Sequence, residues 1–320
     1  MEKSMQALIY HRYGDASVMQ LEEVTLPAPG AGEVLVKVIR ASLNPVDFKF
    51  RNGMMKLLRK PTLPCTTGKD FAGEISALGA GVTQFKVGQR VFGSSDSLSG
   101  RGSCAGFLLS RVDLVAALHQ STSFETGACL GVAAGSALQA LTTVAALKKG
   151  QRLLVVGASG SVGAAAVQIA HAMGAHVTGV CGTSNLAYVK SIRADSVVDY
   201  KSTDWTQLPD KFDVILDTGG THVAWQKAQS RLVDGGVYVD TFPNGTRFLN
   251  HFVSSFTSKE RCQAFMLKTN PALLEGLADW AAKGVLQPRV AERVNLDGAV
   301  AALSRMEAGK VQGKVVVEIA

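Results

Sequence analysis

The stretch from Arg152 to Val180, RLLVVGASGSVGAAAVQIAHAMGAHVTGV, constrains this chain more than any other. It opens on a short apolar run, Leu153 to Val156, which has the length and composition of a buried parallel strand. Gly157, Gly160 and Gly163 follow at once, so the backbone can turn tightly and let another group come close. Ala164 to Met173 then reads as a helix closed by Gly174, and a second apolar strand, Ala175 to Val180, follows directly. The helix start offers unpaired N–H groups and the positive end of a dipole to an anion. Glycines alone also make ordinary tight loops. A strand before them and a capped helix and second strand after them mark a dinucleotide-binding unit, with Gly157, Ser159, Gly160, Ser161, Val162 and Gly163 as its pyrophosphate cradle.

The rest of the chain supplies a setting for that unit. From Gln151 onward strands alternate with helices: Leu153–Val156, Ala175–Val180, Ser196–Val198, Phe212–Leu216 and Val237–Thr241, with Arg261–Leu267 as a candidate edge strand. Such alternation predicts a parallel, doubly wound sheet. From Gln6 to about Leu118 the signals are instead short strands and turns, with strands expected around Val34–Ile39, Phe71–Leu78, Arg90–Phe92 and Ala105–Leu109. Asn44-Pro45 starts a short helix that ends at Gly53, because Asn caps well and Pro suits the first helical position. Helices fill Ser121 to Gly150, the second ending in Lys148-Lys149-Gly150. A tail of two helices, Pro271–Ala282 and Gly298–Glu307, and a strand, Lys314–Ile319, closes the chain. The fold class is therefore α/β with two domains, residues 1–120 completed by 268–320 and residues 121–267, the tail returning to the first.

Composition removes several function classes. The net charge is +7, but Lys and Arg are scattered with no run of four or more, so the charge reads as solvated surface and nucleic acid is not an expected partner. The five cysteines are widely spaced and include no C-x-x-C, which argues against a disulfide framework or a structural zinc lobe and fits a reducing cytoplasm. The first residues, MEKSMQALIYHRYG, lack an apolar core of signal-peptide length. An uncharged stretch of 22 residues, Thr126–Leu147, is long enough to span a bilayer, yet its Gly, Thr, Ser and Gln content favours buried helices. The six histidines form neither a triad nor a metal spacing.

Several motifs in order resemble the medium-chain dehydrogenase/reductase superfamily, in its zinc-independent quinone oxidoreductase branch. They are PAPGAGEVLVKV at 27–38, ASLNPVDFKFRNG at 41–53, TGKDFAGEISALGAGVTQFKVGQRVFG at 67–93, GQRLLVVGASGSVGAAAVQIA at 150–170, FDVILDTGG at 212–220 and GKVQGKVVVEI at 309–319. The resemblance implies a GroES-like β-rich catalytic domain, a Rossmann domain, and a cleft holding nicotinamide and substrate. Zinc-dependent relatives carry Cys where Asn44 stands and His-Glu where Lys69-Asp70 stands. Lys is no zinc ligand at neutral pH and an amide is a poor one, so zinc activation of an alcohol is disfavoured here.

The coenzyme expected is NADPH, with NADH the weaker choice. No carboxylate follows the second strand, where Gly182, Thr183 and Ser184 stand, and an acid there would bind a ribose 2′-hydroxyl and repel a 2′-phosphate. The resemblance adds Tyr200 at this end and Ser136 near the nicotinamide amide, and Thr218, Gly219 and Phe242 stand at the ends of later strands, where open α/β sheets bind ligands. Lys190, Arg193 and Lys201 are further cations in reach of a phosphate or plain surface charges.

Without metal, hydride can still reach an electron-poor carbon of a quinone, enone or enal, provided a donor or cation meets the charge that develops on oxygen. Asn44, Lys49 and Lys69 are the candidates for that role. Helix capping also accounts for Asn44, solvation for Lys49, and an ion pair with Asp70 for Lys69. Phe48, Phe50, Phe248 and Phe252 are candidates for an apolar substrate wall or for core. A homodimer through the strand near Arg261–Leu267 completes the expectation. The competing readings are a zinc alcohol dehydrogenase, a thioester enoyl reductase, and a non-catalytic NADPH sensor or RNA- or partner-binding module on the same fold.

Overall fold

A computed structural model describes residues 4–56, 60–220, 223–241, 249, 250, 252, 254 and 258–320. The chain divides into two compact units, Met1–Val132 with Thr269–Ala320, and Ala133–Lys268. The first opens with β1 (Ser4–Tyr10), β2 (Met19–Thr25), β3 (Glu33–Leu43), α1 (Pro45–Arg51), β4 (Cys65–Thr66), β5 (Asp70–Leu78), β6 (Arg90–Ser94), β7 (Phe107–Arg111), β8 (Val115–Ala117) and α2 (Phe124–Ala128). The second carries α3 (Gly135–Gln139), β9 (Arg152–Val156), α4 (Ser161–Ala172), β10 (His176–Cys181), α5 (Leu186–Ser191), β11 (Ser196–Asp199), β12 (Phe212–Asp217), α6 (Trp225–Gln229), β13 (Leu232–Asp240) and β14 (Arg261–Ala264). The chain then re-enters the first unit as α7 (Pro271–Ala282), β15 (Val290–Asn295), α8 (Ala299–Glu307) and β16 (Lys314–Glu318).

In the first unit the main sheet runs β15-β16-β3-β5-β6-β8, with β7 also on β3, and a smaller sheet runs β2-β1-β4. Val34, Val36 and Val38 of β3 point into a core with Phe71, Ile75 and Leu108. The tail is part of this core because Val315 and Val317 of β16 pair antiparallel with Leu43 and Ala41. The parallel sheet of the second unit has the order β11-β10-β9-β12-β13-β14. Its central strands are buried along Leu153–Val156 and Val214–Leu216, as those apolar runs required. It is the doubly wound order, with a switch point between β9 and β12. Among the described residues no helix is long and apolar enough to cross a membrane.

Three local readings need correction. The helical region after Ser121 ends at Val144, and Lys148–Gly150 form a turn whose Gly150 N–H donates to Gly174 O at 2.8 Å. That region is also interrupted by π turns at Leu130–Ala134 and Ala140–Val144. In the first, the Val132 N–H is drawn to the Asp70 carboxylate at 2.8 Å, a diversion suited to a widened turn. Strand β15 had no sequence expectation because its half-buried, charge-rich VAERVN lacks an apolar face.

A buried ion pair holds the first unit's strands together. Asp70, first in β5 and 0 % exposed, accepts from Lys314 Nζ at 3.1 Å and Asn44 Nδ2 at 3.0 Å on one oxygen. Its other oxygen accepts from Ser94 Oγ at 3.1 Å and the Val132 N–H. Lys314 opens β16, is itself 2 % exposed, and also donates to Asn44 Oδ1 at 2.7 Å. Removing one partner of such a pair leaves an uncompensated buried charge. Lys314→Met should therefore destabilise the protein by about 3–5 kcal/mol in urea unfolding. Asp70→Asn combined with Lys314→Met, where the introduced amide can donate to Asn44 Oδ1, should lie closer to the native protein than Lys314→Met alone; equal loss in both would refute the pairing.

Candidate functional site

The glycine turn lies at the switch point of the parallel sheet. Gly157 has φ +80°, and a Cβ there would stand 2.9 Å from Gly219 N and from Thr218 Oγ1. At Gly163 a Cβ would fall 2.2 Å from Gly157 O, so the head of α4 can seat against the turn only with glycine in that place. Thr218 fastens the turn from β12, its hydroxyl donating to Val156 O at 2.9 Å. Gly219 is fixed in turn by its N–H on Asp217 Oδ1 at 2.9 Å, and Asp217 is buried under the Tyr238 hydroxyl at 2.8 Å.

The helix cap is the informative part. Gly160 is the N-cap of α4 and supplies no side-chain hydrogen bond, so no residue of the cap competes for the first N–H groups of the helix. Gly160 is exposed, Ser159, Ser161 and Val162 are partly so, and the bared backbone is a cradle suited to a pyrophosphate. Ser136 is buried in α3, which packs on α4. Gly182, Thr183 and Ser184 follow β10, and the Tyr200 hydroxyl lies over Gly182, 3.2 Å from where a Cβ would be. Phe242 lies outside the described residues, as does Phe248.

One residue in this region escaped the sequence reading. Asp199 ends β11 and reaches the loop after β10, accepting from Thr183 Oγ1 at 2.5 Å. Its only sequence signal is adjacency to Tyr200, since it lies on the third strand rather than the second. Lys190 is committed to Asp195 O at 2.5 Å, which gives it a structural duty at the end of α5.

In the first unit Asn44 caps the start of α1, Lys49 lies in its last turn, and Lys69 immediately precedes β5. Capping does not exhaust Asn44. Its amide oxygen faces Lys314 and its nitrogen faces Asp70, an orientation that donor-only and acceptor-only partners fix unambiguously. The cation bonded to Asp70 here is Lys314, while Lys69 donates to Ser95 O at 2.9 Å. Lys49 is half-buried, and burial lowers the proton affinity of its ammonium. Phe50 is buried in α1 and Phe48 packs on the core, whereas Phe252 is 64 % exposed. Among the described residues no group of three or more His, Cys, Asp or Glu is arranged to hold a metal.

Asp47 is the other residue that composition could not single out. Its carboxylate accepts the Asn44 N–H at 2.7 Å, yet burial pushes its pKa up to about 7. Asp70 adds to the rise, and Lys314 and Lys69 oppose it. Tyr10, Cys65 and Cys104 crowd the same region, and each is itself raised by burial.

A glycine turn of this form at the switch point of a doubly wound sheet, in a chain that also carries a unit of antiparallel strands, is the build of an oxidoreductase with a nicotinamide dinucleotide. Residues 30–146 match the alcohol dehydrogenase GroES-like domain, and residues 192–317 match the zinc-binding dehydrogenase family. The chain is 33 % identical to the chloroplast envelope quinone oxidoreductase homolog of Arabidopsis thaliana over 99 % of both chains. It is 31 % identical to the NADPH-dependent alkenal/one oxidoreductase of the same plant, over 98 % of this chain and 80 % of that one. Among solved structures, the quinone oxidoreductase from Coxiella burnetii superposes with a TM-score of 0.88 at 28 % identity, covering 99 % of this chain and 100 % of its own. The chain belongs to the medium-chain dehydrogenase/reductase superfamily, in its quinone oxidoreductase branch.

The raised Asp47 group makes stability pH-dependent in a definite direction. The folded state holds a proton that the unfolded chain, near its ordinary value of 3.8, releases earlier. That contribution is complete at acid pH and is lost as pH rises toward and through about 7. Urea unfolding should show the native protein losing stability between pH 5 and pH 8 relative to Asp47→Asn, by on the order of a few kcal/mol. A constant difference between the two proteins across that range would contradict the assignment.

Proposed function

We propose that this chain is an NADPH-dependent reductase that passes hydride to quinones or α,β-unsaturated carbonyl compounds without zinc. The observation that carries the reading is the bared turn at Gly157–Gly163 with a glycine N-cap, in a chain related over its full length to quinone and alkenal/one oxidoreductases. The residues fit the coenzyme. Gly157, Ser159, Gly160, Ser161, Val162 and Gly163 would hold its pyrophosphate, and Gly182, Thr183, Ser184 and Tyr200 the adenosine end. Ser136, Thr218, Gly219 and Phe242 would be left for the nicotinamide half.

A reduced nicotinamide bound there supplies hydride. The chain's own residues must then stabilise charge that develops on the acceptor's oxygen, and acceptors that are electron-poor already need no Lewis acid. Lys49 and Lys69 are the cations assigned to that oxygen. Asn44 contributes by holding the head of α1 through its bonds to Asp70 and Lys314. The donor set opposes zinc on chemical grounds, since the residues around Asp70 are an amide and an ammonium rather than thiolates or imidazoles. A homodimer through β14, which pairs on one side with β13 and ends the sheet, completes the proposal.

The decisive test is NADPH consumption with ortho- and para-quinones, short enals and enones. Turnover with at least one class, undiminished by chelators, is expected, and Lys49→Met should lower kcat/KM by roughly a hundredfold. NADPH binding with no acceptor reduced would favour a sensor or a partner-binding module. Stoichiometric zinc whose removal abolishes turnover would exclude the metal-free route. For the oligomer, sedimentation should give a dimer that Gln263→Pro in β14 weakens; a monomeric native protein would remove that part of the reading.

A further inference from the structure

The loop after β10 contains no acid, but the structure brings one to it. Strands β10 and β11 are parallel neighbours whose register sets Cys181, the last residue of one, level with Asp199, the last residue of the other. From there the carboxylate reaches across: Oδ2 accepts from Thr183 Oγ1 at 2.5 Å and Oδ1 from the Lys201 N–H at 2.9 Å. The Thr183 bond first, then the Lys201 N–H, hold the group below the usual carboxylate range, so it is anionic at neutral pH. Tyr200, next in the chain, is 59 % exposed and turns its hydroxyl over Gly182.

The consequence concerns which coenzyme the loop admits. A threonine hydroxyl has one proton to donate, and here Asp199 receives it. Thr183 can serve a 2′-phosphate only by abandoning that bond, and the phosphate would then lie one hydroxyl away from a carboxylate. A ribose 2′-hydroxyl meets no such conflict, because it can donate to the same carboxylate. The Lys201 ammonium is the cation acting on Asp199, and it partly offsets the repulsion.

We infer that Asp199 is a specificity-determining residue of the coenzyme site, accepting from the 2′-hydroxyl of NADH and repelling the 2′-phosphate of NADPH. It therefore limits the NADPH preference that the loop's hydroxyls and lysines would otherwise give. This deepens the proposed function and rests on its assignment of the nucleotide site. Asp199 supplies from β11 the carboxylate that dinucleotide-binding units otherwise carry at the end of the second strand.

The test is fluorescence titration of the full-length protein with NADPH and with NADH. It compares the native chain with Asp199→Asn and Asp199→Ser, both of which keep an acceptor for the Lys201 N–H. Asp234→Asn, near the start of β13 and therefore at the opposite edge of the parallel strands, controls for the change in net charge. The ratio of NADH to NADPH dissociation constants should rise by about tenfold in both Asp199 variants and stay unchanged in the control. An unchanged ratio, or one that moves toward NADH, in variants that melt at the native temperature would overturn the inference. If the native chain binds neither coenzyme, the nucleotide-site reading fails and this inference falls with it.

Discussion

The first unit depends on what is done with one buried charge. Moving a carboxylate from water into a protein core costs several kcal/mol unless good partners replace the lost hydration. Asp70 obtains those partners from four places in the chain: the end of β3, the end of β6, the start of β16 and the backbone at Val132. None of these could shift far without leaving the carboxylate short of a donor. The ion pair therefore fixes relative position more than it adds stability, because an apolar replacement of equal volume would avoid the desolvation altogether. It also ties the tail to the first unit: Lys314 opens β16, and its bonds to Asp70 and Asn44 form where β16 docks on β3.

The second unit is governed by excluded volume in the same sense that the first is governed by charge. A parallel sheet leaves the carboxyl ends of its strands open on one edge, and the switch between β9 and β12 leaves a crevice there. Backbone atoms of the turn and of Gly219 and the Thr218 hydroxyl approach so closely at that point that a methyl group at 157 or 163 has nowhere to go. The same absence of side chains uncovers the helix N–H groups. Tight packing and anion binding are thus one requirement met by the same glycines, and this is why so short a motif is informative in its strand-and-helix setting.

This difference decides how much could be read from the sequence. Strands β9, β10 and β12 and the glycine turn before α4 were legible because a buried parallel strand is largely apolar and a tight turn needs glycine, although α4 begins at Ser161 with Gly160 as its cap and not at Ala164. Both are properties of single residues and their immediate neighbours. The π turns, β15 and the partner of Asp70 were not legible. Lys314 lies 244 residues from Asp70 and looks like any strand-edge lysine. Asn44 was legible as a cap, but its pairing with Lys314 was not, since the two meet only when β16 docks on β3. Asp199 was missed for a similar reason: strand register, not sequence distance, sets it beside Thr183. Long-range polar pairing has no periodicity to betray it, whereas burial does.

The electrostatics of the first unit bear on how a metal-free reductase could work. Lys314 is a cation in the core, but its charge is met at close range by Asp70 and its donors are directed at Asn44 and Asp70. A neutralised pair projects little field beyond its neighbours, so Lys314 organises the head of α1 without itself serving an oxygen that gains charge during reaction. Asp47, kept largely protonated by burial up to about neutral pH, adds little opposing negative charge below that point. Lys49 differs from both: it stands half-buried on α1, where partial loss of water lowers the affinity of its ammonium for its proton. A cation that is incompletely hydrated interacts more strongly with a developing oxyanion than one fully in water, because the local dielectric is lower. On these grounds the proposed chemistry falls to Lys49 and Lys69, and the buried Asp70–Lys314 pair is the scaffold that keeps the start of α1 in place beside them.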